Sequence, residues 1–422
     1  MSIFTRRVLL RHAPVFAALL VAGCTEMNGS APAAGTAPVV DHSTPASSCV
    51  TAGKWTNPAN QRRHPGNARV IASLAQSNIV LLGESHDRPE HHSWQLQTLS
   101  ALHGYRSKIV LGFEMFPRET QPVLDKWVRG DLTAAEFLRE ANWYENWNFP
   151  AHLYMPLFQY ARQNHIPMKA LNVKIDLIRA VRQEGWENVP LADRAGLSTP
   201  ALASDAYKKD LREIFESHAG GNPHGGASAA PTEAEKAEME IQFDRFVQAQ
   251  LTWDRAMAEG LDKARTEHPD ALVVGIIGGG HLQYGYGVPH QLTELRRRSV
   301  AVALPWDVAR PCEDMTANVA NYVFGTEPVD ESSALPPPRL GVMIAARESG
   351  VLVEQVLPGS IAKKAGLRRG DLIVSAAGED IRRNGDLIMI VQRQAPGTWL
   401  PLSVTRQGKT LEVIAKFPQP KP

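Results

Sequence analysis

Five short apolar runs set the strongest limit on how this chain can fold. They occupy 78–83, 108–113, 166–171, 271–277 and 299–304, as in Ile79-Val80-Leu81-Leu82 and Leu272-Val273-Val274. The runs are nearly continuous instead of alternating apolar with polar, so both faces of each strand must be covered, as inside a parallel sheet. The segments between them carry helical patterns, at 91–103, 154–163, 205–217 and 233–263. Alternation of this kind implies an α/β domain, a mainly parallel sheet with flanking crossover helices. At 422 residues the chain exceeds what one core sustains, so a second domain is expected.

Ligands of an open parallel sheet collect at the carboxyl ends of its strands. Here the first run leads into Gly83-Glu84-Ser85-His86-Asp87, the second into Glu114, and the fourth into Gly278-Gly279-Gly280-His281. Glu84 and His86 are two apart, so an extended backbone turns both side chains the same way. Asp87 followed by Glu90 has the pattern of a helix start. His91 and His92 then fall in the first turn, where the helix dipole keeps imidazole neutral. Singly, each residue has a plain structural explanation: a histidine near a strand end is usually just hydrogen-bonded, and a glycine triplet is usually a tight turn. Taken together, Glu84, His86, Glu114 and His281 at three strand ends predict one shared cleft. The glycines come with no P-loop lysine and no G-x-G-x-x-G spacing, which excludes a nucleotide site.

Three breaks in composition divide the chain. Residues 25–48 are mostly Ala, Pro, Gly, Ser and Thr and read as a flexible tether. Residues 218–231 are Gly/Ala/Pro-rich and read as a loop between helices, and Pro336-Pro337-Pro338 ends a stiff linker. The expected divisions are therefore a leader at 1–24, a tether at 25–53, the α/β domain at 54–325, a linker at 326–338 and a second domain at 339–420. A net charge of +1 and the lack of a basic stripe argue against a nucleic-acid partner.

In the leader, Arg6, Arg7 and Arg11 precede an apolar stretch at 13–22 that is too short to span a bilayer. Val21-Ala22-Gly23-Cys24 resembles a bacterial lipobox. That likeness implies a signal peptide, acylation of Cys24 by palmitate-type chains, and a lipid anchor in the cell envelope, on the periplasmic side or at the outer membrane. Thr5-Arg6-Arg7-Val8-Leu9-Leu10 also resembles a twin-arginine export signal. With Cys24 acylated, Cys49 and Cys312 remain, either as a disulfide in an oxidising compartment or as two free thiols.

A family resemblance rests on ordered motifs. Leu82-Gly83-Glu84-Ser85-His86-Asp87 with His91-His92 comes first, followed by Gly112-Phe113-Glu114-Met115-Phe116 and Trp143 to Asn148 leading to Tyr154. Ala170-Leu171-Asn172, Gln250-Leu251-Thr252-Trp253-Asp254 with Met257, and Gly278-Gly279-Gly280-His281-Leu282-Gln283-Tyr284-Gly285 complete the set. These resemble the ChaN-like haem-binding lipoproteins over about residues 54–310. The resemblance implies haem binding in iron acquisition by a non-enzymatic protein, with dimerisation around cofacial haems and tyrosine ligation. It makes Tyr154 the candidate ligand of the haem iron, beside a Trp143/Trp147 cluster able to cover a porphyrin; the alternative for Tyr154 is a core tyrosine. His91, His92, His281, Glu84 and His86 are candidate partners of the haem. Glu84, His86, Glu114 and His281 also resemble the pattern of a wider clan that includes erythromycin esterases and Tiki-type metalloproteases. That keeps open a hydrolase, with a divalent metal or a general base, and also a scaffold whose site is vestigial.

The C-terminal residues resemble a PDZ domain of the bacterial envelope-protease type. The resemblance runs through Gly350 to Val356, Pro358-Gly359-Ser360-Ile361-Ala362, Ala365-Gly366-Leu367, Gly370-Asp371 and Gly378, with Ala377 where an Asn often stands. It implies a small β-rich domain with a groove helix at 386–394. Leu340-Gly341-Val342-Met343 would be the loop that receives a peptide or protein C-terminus as an added strand.

Overall fold

The computed structural model describes residues 49–60, 64–147, 149–219, 232–327 and 338–419. The leader with Cys24, the tether to residue 48, Asn148, and most of the 218–231 loop and of the 326–338 linker lie outside the described residues.

The first sheet has seven strands: β1 (Trp55–Thr56), β2 (Ile79–Glu84), β3 (Ile109–Pro117), β4 (Met168–Asn172), β5 (Leu272–Gly278), β6 (Val300–Asp307) and β7 (Tyr322–Thr326). Their order is β1-β7-β6-β2-β5-β3-β4. Every neighbouring pair is parallel except β1 with β7. The five expected strands are present, and β1 and β7 add an edge that no continuous apolar run announces.

Side-chain alternation divides each strand between two cores. Val80 and Leu82 join Leu111, Phe113, Val274 and Ile276 on one face, whereas Ile79 and Leu81 join Val110, Val273 and Ile277 on the other. The first face is covered by α1 (Asn67–Leu74), α2 (Pro89–Tyr105), α3 (Gln121–Arg129), α4 (Ala134–Glu140), the four-residue α5 (Trp143–Asn146) and α6 (Met155–Gln163). Next come α7 (Ile175–Glu184), α8 (Asp205–Ala219), α9 (Glu233–Glu267) and α10 (Val288–Glu294). Of these, α9 and α10 cover the second face, and α7 and α8 pack against α9. The start of α2 differs from expectation. Its N-cap is Arg88, with no side-chain cap, because Pro89 suits the first helical position and sets the boundary beyond Asp87.

The second sheet is antiparallel, in the order β13-β12-β10-β9-β8. Its strands are β8 (Val342–Arg347), β9 (Gly350–Val356), β10 (Leu372–Ala376), β11 (Glu379–Asp380, on β10), β12 (Trp399–Arg406) and β13 (Lys409–Lys416). Two helices, α11 (Ile361–Ala365) and α12 (Asn384–Gln392), close its core over Val351, Val353, Ile373, Leu402 and Val404. The β-rich second domain is therefore present, with its long helix two residues earlier than expected. No described helix is long and apolar enough to cross a membrane.

Candidate functional site

The topology explains why the chemistry converges. The late strand β5 lies between the early strands β2 and β3. Glu84 and Gly278 end their strands, whereas Glu114, expected at a strand end, sits inside β3 just past its pairing with β5, because β3 continues to Pro117. Glu84 is in register with Gly278, and Glu114 lies one residue past the Phe113–Ile276 pair. The Gly278 amide donates to Glu114 Oε2 at 2.5 Å. A Cβ at Gly278 would meet the His86 ring at 2.9 Å, so only glycine lets these groups approach. Glu84, His86, Glu114 and His281 share this cleft, none more than 5% exposed.

Two carboxylate–histidine pairs face each other across Glu114. His86 Nδ1 lies 2.7 Å from Glu84 Oε1, and His281 Nδ1 lies 2.6 Å from Asp254 Oδ1. His281 Nε2 lies 3.7 Å from Glu114 Oε1. Burial alone would lower the pKa of both imidazoles. The hydrogen bond to Glu84 and the Glu114 charge raise His86 above the ordinary value, and Asp254 does the same for His281. Burial would likewise raise Glu84, but the charge of His92 and the hydrogen bond from His86 win and hold it well below the usual carboxylate range. A histidine with Nδ1 fixed by a carboxylate has one defined tautomer and presents Nε2 for acid–base work. Among the described residues, no three His, Cys, Asp or Glu side chains are arranged to hold a metal ion.

His91 and His92 fall in the first turn of α2, as expected, but take different roles. His91 Nδ1 accepts the Ser85 amide at 2.9 Å, and burial pushes its pKa down to about 3, so it braces the strand–helix turn as a neutral ring. His92 stays in the cluster. Its Nδ1 is 3.3 Å from Glu84 Oε2, its Nε2 is 3.2 Å from the His86 carbonyl, and its ring lies 4.3 Å from Tyr154.

The aromatics divide by depth. Tyr154 is fully buried, and its hydroxyl donates to Glu84 Oε1 at 2.7 Å. Burial, then the Glu84 charge, raises its pKa well above the ordinary phenol value, so the resting side chain keeps its proton. The Trp143/Trp147 pair also splits. Trp143 is 1% exposed and packs among Phe116, Tyr154 and Phe158, with Nε1 donating to the Phe149 carbonyl at 2.9 Å. Only Trp147 lies at the mouth, where it and Phe149 cover His86 at ring distances of 4.7 and 5.1 Å.

Asp254 and Tyr207 escaped the sequence reading as site residues. The Tyr207 hydroxyl donates to Asp254 Oδ2 at 3.0 Å, so the pair fixes His281 from behind. A signal for Asp254 existed: on α9 it sits in line with Val247, Leu251, Ala258 and Leu261, where helical spacing calls for an apolar residue.

At the second domain, β8 is an edge strand with α12 beside it. Leu340 is buried, Gly341 holds a left-handed φ of +77°, and Met343 is 53% exposed at the start of that edge. A Cβ on Gly341 would meet Ser360 Cβ at 2.4 Å, so the loop requires glycine twice over.

Comparison with known proteins places these features. Residues 70–292 match the family described as "Haem-binding uptake, Tiki superfamily, ChaN", and residues 352–406 match "PDZ domain". A "Probable periplasmic serine endoprotease DegP-like" of Hahella chejuensis is 41% identical over 70 residues, 17% of this chain and 15% of its own length. The "Periplasmic pH-dependent serine endoprotease DegQ" of Escherichia coli is 39% identical over 66 residues, 16% of this chain and 14% of its own. The chain thus spans only about a seventh of these curated relatives. A solved structure described as "Cofacial heme binding to ChaN of Campylobacter jejuni" is 19% identical, with TM-score 0.47, covering 64% of this chain and 95% of that one.

Proposed function

Because the chain belongs to the haem-binding uptake family ChaN of the Tiki superfamily, with a PDZ domain after it, we propose that it is a lipid-anchored envelope protein that binds haem in iron acquisition and uses its PDZ groove to hold a partner's C-terminus. The observation carrying the haem reading is the aromatic-covered cluster where β2 and β5 end beside Glu114 of β3. Trp147 and Phe149 offer flat apolar faces, and beneath them Glu84 holds the His86 and His92 rings at 2.7 and 3.3 Å. Aromatic faces for a porphyrin and imidazoles able to donate to propionates fit a large flat ligand at the mouth once the cover gives way. When bound, haem supplies a ferric iron that prefers an anionic oxygen and two propionates that prefer donors. Tyr154 would serve the iron, and His86, His92 and His281 the propionates. Tyr154 can act as phenolate only by losing its proton, and the acceptor already in contact is Glu84 Oε1.

Haemin titrated into the purified mature protein should bind at one equivalent with a shifted Soret band. Tyr154→Phe keeps the ring and removes the hydroxyl, so it should move the charge-transfer band. If the band stays and His92→Ala or His281→Ala moves it instead, a histidine holds the iron. The paired histidines favour one second reading, general-base hydrolysis with His86 or His281 Nε2 as base. An absent haemin response together with ester hydrolysis lost in His281→Ala would put that reading first.

Envelope residence has two independent checks. Cys24→Ala should move the protein from the membrane fraction to the soluble one, and unchanged fractionation would count against the anchor. Cys49 and Cys312 are adjacent: the Cys49 amide donates to Cys312 Sγ at 3.0 Å. Exported protein should therefore carry them as a disulfide, two hydrogens lighter than the reduced chain. Two alkylatable thiols in protein taken from the envelope would refute it.

A further inference from the structure

Helix α12 of the PDZ domain is covered on more than its own core side. Leu387, Ile390 and Val391 face the PDZ core. Met389 belongs instead to the core of the α/β domain and is 2% exposed. Gly385, one turn earlier on that face, donates its amide to Glu145 Oε1 at 2.9 Å. A Cβ at Gly385 would stand 2.6 Å from both Glu145 carboxylate oxygens, so the two domains meet at backbone distance. Polar contacts ring the patch. Arg383 bonds the Asn142 side chain and, at 3.0 Å, the Arg139 carbonyl, and Arg139 lies 3.5 Å from both Asp386 and Glu379.

The surface receiving α12 is α5, which is a single turn of four residues entered through Asn142 at a left-handed φ of 48°. One turn cannot offset its own ordering cost, so α5 depends on what packs against it. Trp143 anchors it from below and α12 holds it from outside. From α5 the chain runs directly into Trp147 and Phe149, the cover over His86. Segments held by so few internal bonds are the ones that open first.

We infer that the PDZ domain is an intramolecular clamp: α12 docked on α5 holds the Trp147 and Phe149 rings shut over the Glu84/His86 cleft, and undocking opens it. The access half of this rests on the haem reading, whereas the clamp itself can be measured without any ligand. The remaining strip of α12, Asn384, Ile388 and Gln392, is half-buried, with unpartnered buried oxygens on Asn384 and Gln392. Whatever fills the PDZ groove therefore bears on the same helix.

The test uses the full mature chain with two changes at the dock, the double variant Glu145→Ala/Arg383→Ala and the single variant Met389→Asp. The first removes one exposed and one half-buried polar side chain and leaves both cores intact, and so guards against misfolding of the second. Hydrogen exchange at 143–149 should quicken at least several-fold in both variants, while the β2 amides exchange as in the parent. Haemin association should accelerate in step. Parent-like exchange at 143–149 in both variants would overturn the clamp. Faster exchange with an unchanged haemin on-rate would overturn its control of access. A parent that binds no haemin sinks the haem reading, and the exchange data still decide the clamp.

Discussion

Glu84→Ala should lose about 3–5 kcal/mol of stability, the usual cost of removing one partner from a buried charged network. One carboxylate serves His86, His92 and Tyr154, so its loss orphans three buried groups at once. Denaturant melts at neutral pH measure the cost, and a loss below about 1 kcal/mol would mean water or a shifted ring replaces the carboxylate. The pH profile adds a signature. The folded-state pKa of Glu84 is depressed, so its contribution is complete above the ordinary glutamate value of about 4.3 and fades as pH falls through the lower folded one. Glu84→Gln should therefore lose the acid-side dependence that the parent shows below that value. His86 and His281 act in the opposite direction. Their raised folded values give stability that is complete below about pH 6.5 and lost as pH climbs through them.

Trp143→Ala should cost a similar 3–5 kcal/mol, typical of truncating a large core aromatic. The indole is 1% exposed among Phe116, Tyr154 and Phe158, and its Nε1 bond to the Phe149 carbonyl ties the core to the cover. Trp147→Ala, at a half-buried position, should cost under half as much while changing haemin binding more. Equal stability losses for the two would show that Trp147 is core as well.

Much of this was legible in the sequence, for identifiable reasons. Doubly covered strands leave continuous apolar runs, and the runs ending at Leu82, Phe113 and Ile277 are each followed within four residues by a carboxylate or a histidine: Glu84, Glu114 and His281. What stayed hidden depended on spatial order. Nothing local to Leu272–Gly278 says that it lies between β2 and β3, and only that placement brings Gly278 against His86 and Glu114. Tyr154 was a ligand candidate through the family resemblance, and its bond to Glu84, 70 residues away, had no local signal. Trp143 and Trp147 read as one cluster from their closeness in sequence, but α5 ends between them and Trp147 takes extended backbone. The docking of α12 on α5 had no sequence signal, since Met389 is a plausible PDZ core residue by periodicity.

The late placement of β5 also has a consequence for assembly. β2 and β3 are made early, yet neither pairs with the other, so each keeps an open apolar edge until the chain has grown through α9. Pairings this distant in sequence pay their loop-closure entropy before any contact repays it, and unpaired edges are where folding intermediates stick to one another. The strand that joins β2 to β3 is also the one that carries Gly278 and His281 to the cleft. Chains stalled before that step should be aggregation-prone and should lack the cleft entirely, so no half-folded form can hold ligand.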